Sequence, residues 1–318
     1  MSARSDRVAV AIPAHDEAAL IGRCLDALAV QQDAGDYVVV VLANGCSDAT
    51  AAIARQPRAL AVEVIETAPP PSEQTAGHAR RAALAAAADL GGLVLTSDAD
   101  CVADPDWIAA HRRAFAAGAD AVAGRVSADW EELRHQPEAA LAIGSLEWDY
   151  LKLIAQAEAI FDPRPHDPWP RHAQCCGANL AITAAMLARV GGGPRVASGE
   201  DRALIAAVVA ADGRVRYDRG PHVVASARTV GRATGGMADV LASRLSPDYR
   251  CDDLLQPADT LVSVWRERAQ ARRAWRPGGA FATFGASWAA RAPVPVALSA
   301  ADLPAEIARL RDLIAAHG

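Results

Sequence analysis

The sequence predicts an α/β protein built on a mostly parallel, doubly wound sheet. Short apolar runs that are typical of buried strands alternate with stretches of helical apolar spacing through the first third of the chain. At least one run is continuously apolar, as expected of a strand that helices cover on both faces. Polar residues cluster where the runs end, and such sheets bind ligands at the carboxyl ends of their strands. These observations predict both the fold class and the position of a binding site.

The first two strand–helix units show the same order of signals: an apolar run, a loop, and a stretch of helical spacing. The first run ends at Pro13. The second ends in the turn signal Asn44-Gly45, after which Ser47 or Asp48 can cap a helix. The predicted elements are strands over Val8–Ile12 and Tyr37–Leu42, a helix over Ala18–Leu28 and a helix running through Ile53.

The next two units are separated by a Pro-rich loop, Ala68–Ser72, and an Ala-rich helix. Gly91-Gly92 ends this helix, and the buried strand that follows delivers Asp98 and Asp100 at its carboxyl end. The predicted elements are strands over Ala61–Ile65 and Leu93–Thr96, and helices over Gly77–Leu90 and Trp107–Phe115.

The later part of the chain predicts fewer elements. We expect helices over Ala181–Val190 and Arg202–Ala211 and a strand over Tyr217–Ala227. From residue 246 onward, prolines divide the chain into short helical pieces, which indicates a C-terminal helical extension. Arginines alternate there with Trp265 and Trp275, and this pattern predicts either a solvated helix face or one that contacts anionic lipid, a partner subunit or a phosphorylated acceptor. These arginines are Arg266, Arg268, Arg272, Arg273 and Arg276.

Composition excludes several classes of protein. The formal charge of −6 gives no basic field for nucleic acid. No stretch resembles a signal peptide or approaches the roughly 18 apolar residues of a membrane span, so we expect a cytoplasmic protein. The six cysteines show no C-x-x-C spacing and are predicted to be reduced structural thiols, not zinc ligands or disulfides.

The aspartate pair carries the most chemistry. Asp98 and Asp100, one residue apart at a strand end, can present oxygens to Mg²⁺ or Mn²⁺, and a metal so placed can neutralise a diphosphate. The alternative is that Asp104 and its neighbours only cap the following helix. Because His15, Glu17, Asn44 and Asp48 also lie at strand ends, several segments are expected to converge on one crevice. The three motifs are Ala11 to Glu17, Asn44 to Thr50 and Ser97 to Asp100.

Through these motifs, followed by Gly177-Ala178-Asn179-Leu180 and Gly199-Glu200-Asp201, the sequence resembles the family 2 glycosyltransferases of the GT-A fold. The resemblance covers residues 7 to 230. It implies a three-layer, Rossmann-like domain over 1–245, whose half 1–125 binds the nucleotide-sugar and whose half 126–245 binds the acceptor. Residues 246–318 form the helical extension.

The resemblance also implies roles for individual residues. The aspartate pair approaches the ribose and the metal-bound diphosphate, and Arg80 is the basic residue near the donor. Many members have an aspartate that contacts the base where this chain has Ala43, so the base of the donor is left open. The residues expected to hold the nucleoside are Pro13, His15, Glu17, Asn44 and Asp48.

Glu200 and Asp201 are the predicted catalytic residues. In inverting members this acidic pair begins a helix, and its aspartate removes the proton from the attacking hydroxyl. The alternative from the residues alone is an N-terminal capping cluster that includes Ser198. His222 is either a third metal ligand or a structural histidine, and Arg228 and Arg232 are either a diphosphate clamp or ordinary surface arginines.

The function predicted from the sequence is metal-dependent transfer of a sugar from a nucleotide-diphospho-sugar to an unidentified acceptor hydroxyl, with inversion. Mn²⁺ or Mg²⁺ is the expected cofactor. Two alternatives stay open: a nucleotidyltransferase that forms a nucleotide-sugar, and a relative that binds nucleotide-sugars without turnover. The loop Pro13 to Glu17 is acidic and lacks G-x-G-x-x-G, which weighs against the nucleotidyltransferase. No nucleic acid or membrane span is expected, although peripheral membrane contact is compatible with the C-terminal arginines.

Overall fold

The structure is a computed structural model that describes residues 6–228, 237–246, 248–276 and 281–317. Its strands join into one eight-stranded sheet. The strands are β1 (Val8–Ala14), β2 (Tyr37–Asn44), β3 (Val62–Thr67), β4 (Leu93–Thr96), β5 (Cys101–Ala103), β6 (Ala121–Ala128), β7 (Leu180–Thr183) and β8 (Val215–Ala225). Their order across the sheet is β3-β2-β1-β4-β7-β6-β8-β5.

Twelve α-helices accompany the sheet within the described residues. Those before the long helix α6 are α1 (Ile21–Ala29), α2 (Thr50–Ala54), α3 (Ala76–Ala88), α4 (Trp107–Ala116) and α5 (Trp130–Leu133). The remaining helices are α6 (Glu138–Phe161), α7 (Ala184–Arg189), α8 (Glu200–Ala210), α9 (Met237–Ser243), α10 (Ala258–Ala274), α11 (Phe284–Ala289) and α12 (Leu303–Ala315).

The first four predicted units are confirmed. β1 pairs in parallel with both β2 and β4, and β2 pairs in parallel with β3. Alternate residues of β1 enter cores on opposite faces: Val10 and Ile12 pack with Leu25 of α1, and Ala9 packs with Leu84 of α3. Because both faces of the strand are buried, the sequence shows an apolar run without polar alternation. The three-layer, mostly parallel α/β class is therefore confirmed.

The predicted helix over Ala181–Val190 is wrong at its start. Leu180–Thr183 is strand β7, which pairs antiparallel with β4 on one side and β6 on the other. Thr183 ends the strand, and its side chain accepts a hydrogen bond from the Met186 backbone N–H at 3.1 Å, which caps α7. Local spacing favoured helix, but pairing with two neighbouring strands decides the conformation. β7 joins the nucleotide-type half of the sheet to β6 and β8.

The C-terminal helices pack against α6. Trp265 of α10 and Leu310 of α12 lie in one buried core with Tyr150 and Ile154 of α6. Arg268 and Arg272 of α10 bind Asp162 at 2.5 Å each, so the prediction of a solvated helix face is wrong for these two arginines. The domain boundary between 245 and 246 stays a prediction.

Within the described ranges, no helix is both long and apolar enough to cross a membrane. All six cysteines are free thiols, as predicted. The predictions of a cytoplasmic location and of peripheral membrane contact stay predictions.

Candidate functional site

Two loops at the carboxyl ends of β1 and β2 are tied together by side-chain hydrogen bonds. His15 Nδ1 lies 2.8 Å from the carbonyl oxygen of Asn44. Asp16 has a positive φ of 52°, and its carboxylate accepts the Ser47 backbone N–H at 2.7 Å. Sequence analysis gave Asp16 no role, yet its short polar side chain suits the left-handed conformation and fixes the turn. Together these bonds hold the predicted nucleoside loops against each other.

Asp48 fixes the second loop from inside. Its Oδ1 accepts the Thr50 backbone N–H at 2.9 Å, and its Oδ2 accepts the Ala18 backbone N–H at 3.0 Å. The Thr50 hydroxyl, which is buried, accepts the Glu17 backbone N–H at 2.8 Å and also bonds Asp48. Asp48 therefore acts partly as the helix cap that the sequence allowed. Thr50 is a further residue of this loop that the sequence did not mark, because its only signal was proximity to Asp48.

The aspartate pair lies where β4 ends. Side chains of Asp98 and Asp100 are 37% and 18% exposed, so ligands can reach both. One oxygen of each and the sulfur of Cys101 lie within 4.8 Å of one another, a group that can hold a metal ion. Burial and the neighbouring Asp98 carboxylate raise the pKa of Asp100 to about 6. Two carboxylates that repel each other favour a divalent cation, so the donor set fits Mn²⁺ or Mg²⁺.

Arg80 lies beneath the aspartate pair and is almost completely buried. Its guanidinium donates to Asp98 at 2.5 Å, to Glu200 at 2.9 Å, to the Thr96 hydroxyl at 2.9 Å and to the Gly177 carbonyl oxygen at 3.0 Å. Four of the five guanidinium N–H groups are thus used inside the protein. Arg80 connects the strand that carries Asp98 with the helix that carries Glu200.

Gly177 is needed because of Arg80. A Cβ atom built on Gly177 would lie 2.6 Å from the guanidinium carbon of Arg80. Sequence analysis attributed this glycine to the close approach of a ligand. In the structure, the group that approaches closely is a buried side chain of the protein itself.

The predicted catalytic pair begins α8. Asp201 Oδ2 accepts the Gly177 backbone N–H at 2.9 Å, and its Oδ1 accepts the Arg202 backbone N–H at 2.7 Å. Glu200 is buried and paired with Arg80, whereas the N-cap position belongs to Gly199, which has no side-chain cap. A capping role therefore does not account for Glu200. The Gly177 peptide lies between the two sites, because its carbonyl accepts from Arg80 and its N–H donates to Asp201.

Arg228 reaches the same crevice from the end of β8. Its guanidinium donates to Glu17 in bidentate fashion, at 2.7 and 2.5 Å, and lies 3.3 Å from Asp100. The position of Arg228 confirms that this arginine is not an ordinary surface residue. Arg232, the other predicted clamp residue, lies outside the described residues.

The structure does not bring His222 to the aspartate pair. Nδ1 of His222 lies 2.9 Å from Asp104, and Nε2 lies 2.9 Å from the Ser127 hydroxyl. Because both ring nitrogens have protein partners, neither is available to a metal, and His222 takes the structural alternative. Cys101 completes the metal-capable group in its place; the sequence signal was its position directly after Asp100.

Asn179 also has a structural role. It is fully buried, and its oxygen accepts from Trp107 Nε1 at 2.9 Å and lies 3.0 Å from His111 Nε2. Its amide nitrogen donates to the carbonyls of Arg125 and Pro221. Asn179 therefore joins α4, β6 and β8 behind the crevice.

Comparison with known proteins gives the same assignment. Residues 5–159 match the family model described as Glycosyltransferase like family 2. The similar solved structures include S. aureus TarS 1–349 in complex with UDP-GlcNAc, with 15% identity, a TM-score of 0.52, and coverage of 98% of this chain and 82% of that chain. The same fragment in complex with UDP has 16% identity and a TM-score of 0.51, covering 84% of this chain and 71% of that one. None of the curated proteins compared with the chain matches it in sequence.

The sheet order, the strand-end crevice and the aspartate pair define an α/β protein of the GT-A fold, which the TarS structures share. Through residues 5–159 the chain belongs to the family 2 glycosyltransferases, and it is accordingly a glycosyltransferase that uses a nucleotide-sugar.

Proposed function

We propose that this glycosyltransferase moves a sugar from a nucleotide-diphospho-sugar to an acceptor hydroxyl with inversion, and that Asp201 is the general base. The observation that carries the proposal is the connection through Arg80 and Gly177. Arg80 binds Asp98 and the Gly177 carbonyl, and the Gly177 N–H binds Asp201. The presumed donor-binding carboxylate and the base are thereby held in one arrangement.

The donor end of the proposal rests on the two tied loops. We assign Pro13, His15, Glu17, Asn44 and Asp48 to the nucleoside, because the loops that carry them converge at the carboxyl ends of β1 and β2. TarS holds UDP and UDP-GlcNAc in its solved structures, which supports a nucleotide-sugar as the donor. Ala43 keeps the choice of base open, so the experiment below includes four bases.

The metal end of the proposal rests on Asp98 and Asp100, with Cys101 beside them. A bound Mn²⁺ or Mg²⁺ would supply positive charge to the leaving diphosphate. We propose that Asp98 keeps its orientation through Arg80, and that Asp100 is the more adaptable ligand because it has no buried cation of its own.

In the proposed reaction, the acceptor oxygen attacks the anomeric carbon while the bond from that carbon to the diphosphate oxygen breaks. The hydroxyl proton passes to the Asp201 carboxylate. The Gly177 N–H holds Oδ2 of Asp201 in place, which fixes the direction of proton transfer. Inversion follows if Asp201 faces the acceptor side of the sugar. Glu200 is paired with Arg80, so we assign it a positioning role and not proton transfer.

A thermal-shift screen of UDP-, GDP-, CDP- and dTDP-sugars with and without Mn²⁺ tests the donor site, because a ligand that binds the native state raises its melting temperature. We expect metal-dependent stabilisation by one nucleotide, lost in Asp98→Asn. Product analysis separates the alternatives. Release of the nucleoside diphosphate marks the transferase, release of pyrophosphate marks a nucleotidyltransferase, and binding without any product marks the relative that lacks turnover.

Asp201→Asn tests the base. We expect donor binding to stay within about twofold of wild type, while release of nucleoside diphosphate falls by about 10²–10⁴-fold, since the amide cannot accept the proton. The assay uses the donor found in the screen, with water or simple glycosides as acceptors. Asp259→Asn is the matched control, because Asp259 is an exposed carboxylate paired with Arg309 in the C-terminal helices. Wild-type turnover in Asp201→Asn would refute the assignment.

A further inference from the structure

Arg228 contacts carboxylates from two other parts of the sheet. Its two terminal nitrogens meet the two oxygens of Glu17, which follows β1, and one of them also lies 3.3 Å from Asp100, which follows β4. A planar guanidinium fits one carboxylate in bidentate fashion and leaves other N–H donors for a second acceptor. Arg228 is therefore the cation nearest to the free side of the aspartate pair among the described residues.

The backbone before Arg228 is fixed by Glu132 of α5. One oxygen of Glu132 accepts the Ser226 hydroxyl at 2.6 Å and the Ala227 backbone N–H at 2.7 Å. The Ala227 residue is itself buried. The guanidinium end, in contrast, keeps 26% of its side-chain surface exposed. The arginine thus has a fixed base and a head that can exchange one acceptor for another.

Asp100 cannot serve Arg228 and a divalent cation with the same oxygen at the same time. The Asp100 oxygen that faces Arg228 belongs to a carboxylate of the metal-capable group. Two positive charges held a few ångströms apart repel each other strongly in a partly buried site. Arg228 must therefore leave Asp100 when a metal binds there.

We propose that Arg228 is the resident counter-cation of the donor site: it occupies Asp100 in the absence of ligand and moves to the diphosphate when the metal and the nucleotide bind together. This inference rests on the proposed function. The diphosphate supplies the acceptor oxygens that Arg228 loses at Asp100, so nucleotide and metal favour each other's binding. Free metal has no such compensation. Arg228 would consequently weaken the binding of metal alone and strengthen the binding of metal with nucleotide.

The test measures two ligands on the same purified full chain by isothermal titration calorimetry: Mn²⁺ alone, and UDP in the presence of saturating Mn²⁺, or the nucleoside diphosphate that stabilises the wild type best. For Arg228→Ala we expect Mn²⁺ alone to bind about tenfold more tightly, because a repelling charge is gone. We expect the nucleoside diphosphate to bind about tenfold more weakly, because a charged donor is lost. A change of opposite sign for the two ligands is the signature of the proposal.

Three further variants make the result interpretable. Arg228→Met keeps most of the side-chain volume without the charge and should behave like Arg228→Ala, which covers the case in which the alanine variant does not fold. Arg228→Lys retains a charge and should leave the affinity for Mn²⁺ alone near the wild-type value. Arg309→Ala removes an exposed arginine from the C-terminal helices and should change neither affinity.

The outcomes distinguish this inference from the proposed function. If the wild type binds Mn²⁺ and the nucleotide but both Arg228→Ala and Arg228→Met leave Mn²⁺ binding unchanged or weaker, the counter-cation role is refuted while the donor site stands. If the wild type binds no nucleoside diphosphate with or without Mn²⁺, the proposed function fails, and the inference fails with it.

Discussion

Two groups of buried ion pairs in this molecule use arginine in opposite ways. In the α6 cluster, formed by Glu158 and Asp162 with their arginine partners, Glu158 is contacted by three arginines and Asp162 by two. In the crevice, Arg80 is shared by Asp98 and Glu200, and Arg228 by Glu17 and Asp100. The arginines that bind Glu158 or Asp162 are Arg164, Arg171, Arg268 and Arg272.

The pKa values follow this difference. The surrounding arginines hold the pKa of Glu158 well below its usual range despite its burial, whereas burial and Asp98 raise the pKa of Asp100 to about 6. Positive charge is abundant where α6 must be held against α10, and it is scarce where a metal and a diphosphate are expected. The comparison indicates that a carboxylate short of counter-charge marks the functional site, and that a fully compensated one marks a structural joint.

Glu158→Gln should break the α6 cluster with the largest effect. It leaves three buried or half-buried arginines without their shared carboxylate, which should cost about 3–5 kcal/mol of the free energy of unfolding. Urea denaturation at pH 7.5 measures this cost. Nucleotide binding by the folded fraction should stay at the wild-type level, since the cluster lies outside the crevice. A loss below about 1 kcal/mol would show that the cluster contributes little to stability.

Asp100→Asn should have the opposite sign in the absence of ligand. Because the folded pKa of Asp100 is raised, its contribution to stability is fully present below about pH 4 and is lost as the pH rises through about 6. The neutral amide avoids this loss, so the variant should be more stable than wild type by about 1–3 kcal/mol at pH 8 and equal to it near pH 4. Melting temperatures measured across this pH range, without metal, test the expectation. A variant less stable than wild type at pH 8 would contradict it.

Arg309→Ala should have the smallest effect and sharpens the comparison from outside. Arg309 and Asp259 are both at least half exposed, and such pairs contribute about 0–1 kcal/mol. Its melting temperature should stay close to the wild-type value, and 0.5 M NaCl should not alter the small difference by much. A large loss would mean that exposure is a poor guide to the role of arginine in this chain.

The sequence was most informative where local rules decide the structure. Buried parallel strands appear as continuous apolar runs, and Leu93–Thr96 was predicted with the bounds that the structure has. The polar residues at strand ends were predicted to converge, and the tied loops of His15 and Asn44 confirm it. Strand β7 was mistaken for helix because four apolar residues beside an alanine-rich stretch have no distinctive period, and only their pairing with β4 and β6 fixes them as strand.

Partners distant in the chain were beyond the sequence. Arg228 and Glu17 are 211 positions apart, and Arg80 and Glu200 are 120 apart. No spacing rule connects such residues, so the sequence marked the side chains without their contacts. The assignment of Arg80 to the donor was likewise incomplete, because burial, which decides that Arg80 serves the protein's own carboxylates, depends on the packing of α3 and α8.

The contact between Gly177 and Arg80 also makes the two positions interdependent during evolution. A side chain at 177 would occupy space that the buried guanidinium fills, so substitution of the glycine is tolerated only after position 80 has become smaller. Shortening position 80 first, however, would leave Glu200 buried without its cation. Each single step passes through a poorer intermediate, and a lineage that carries this pair can leave it only by changing several residues together.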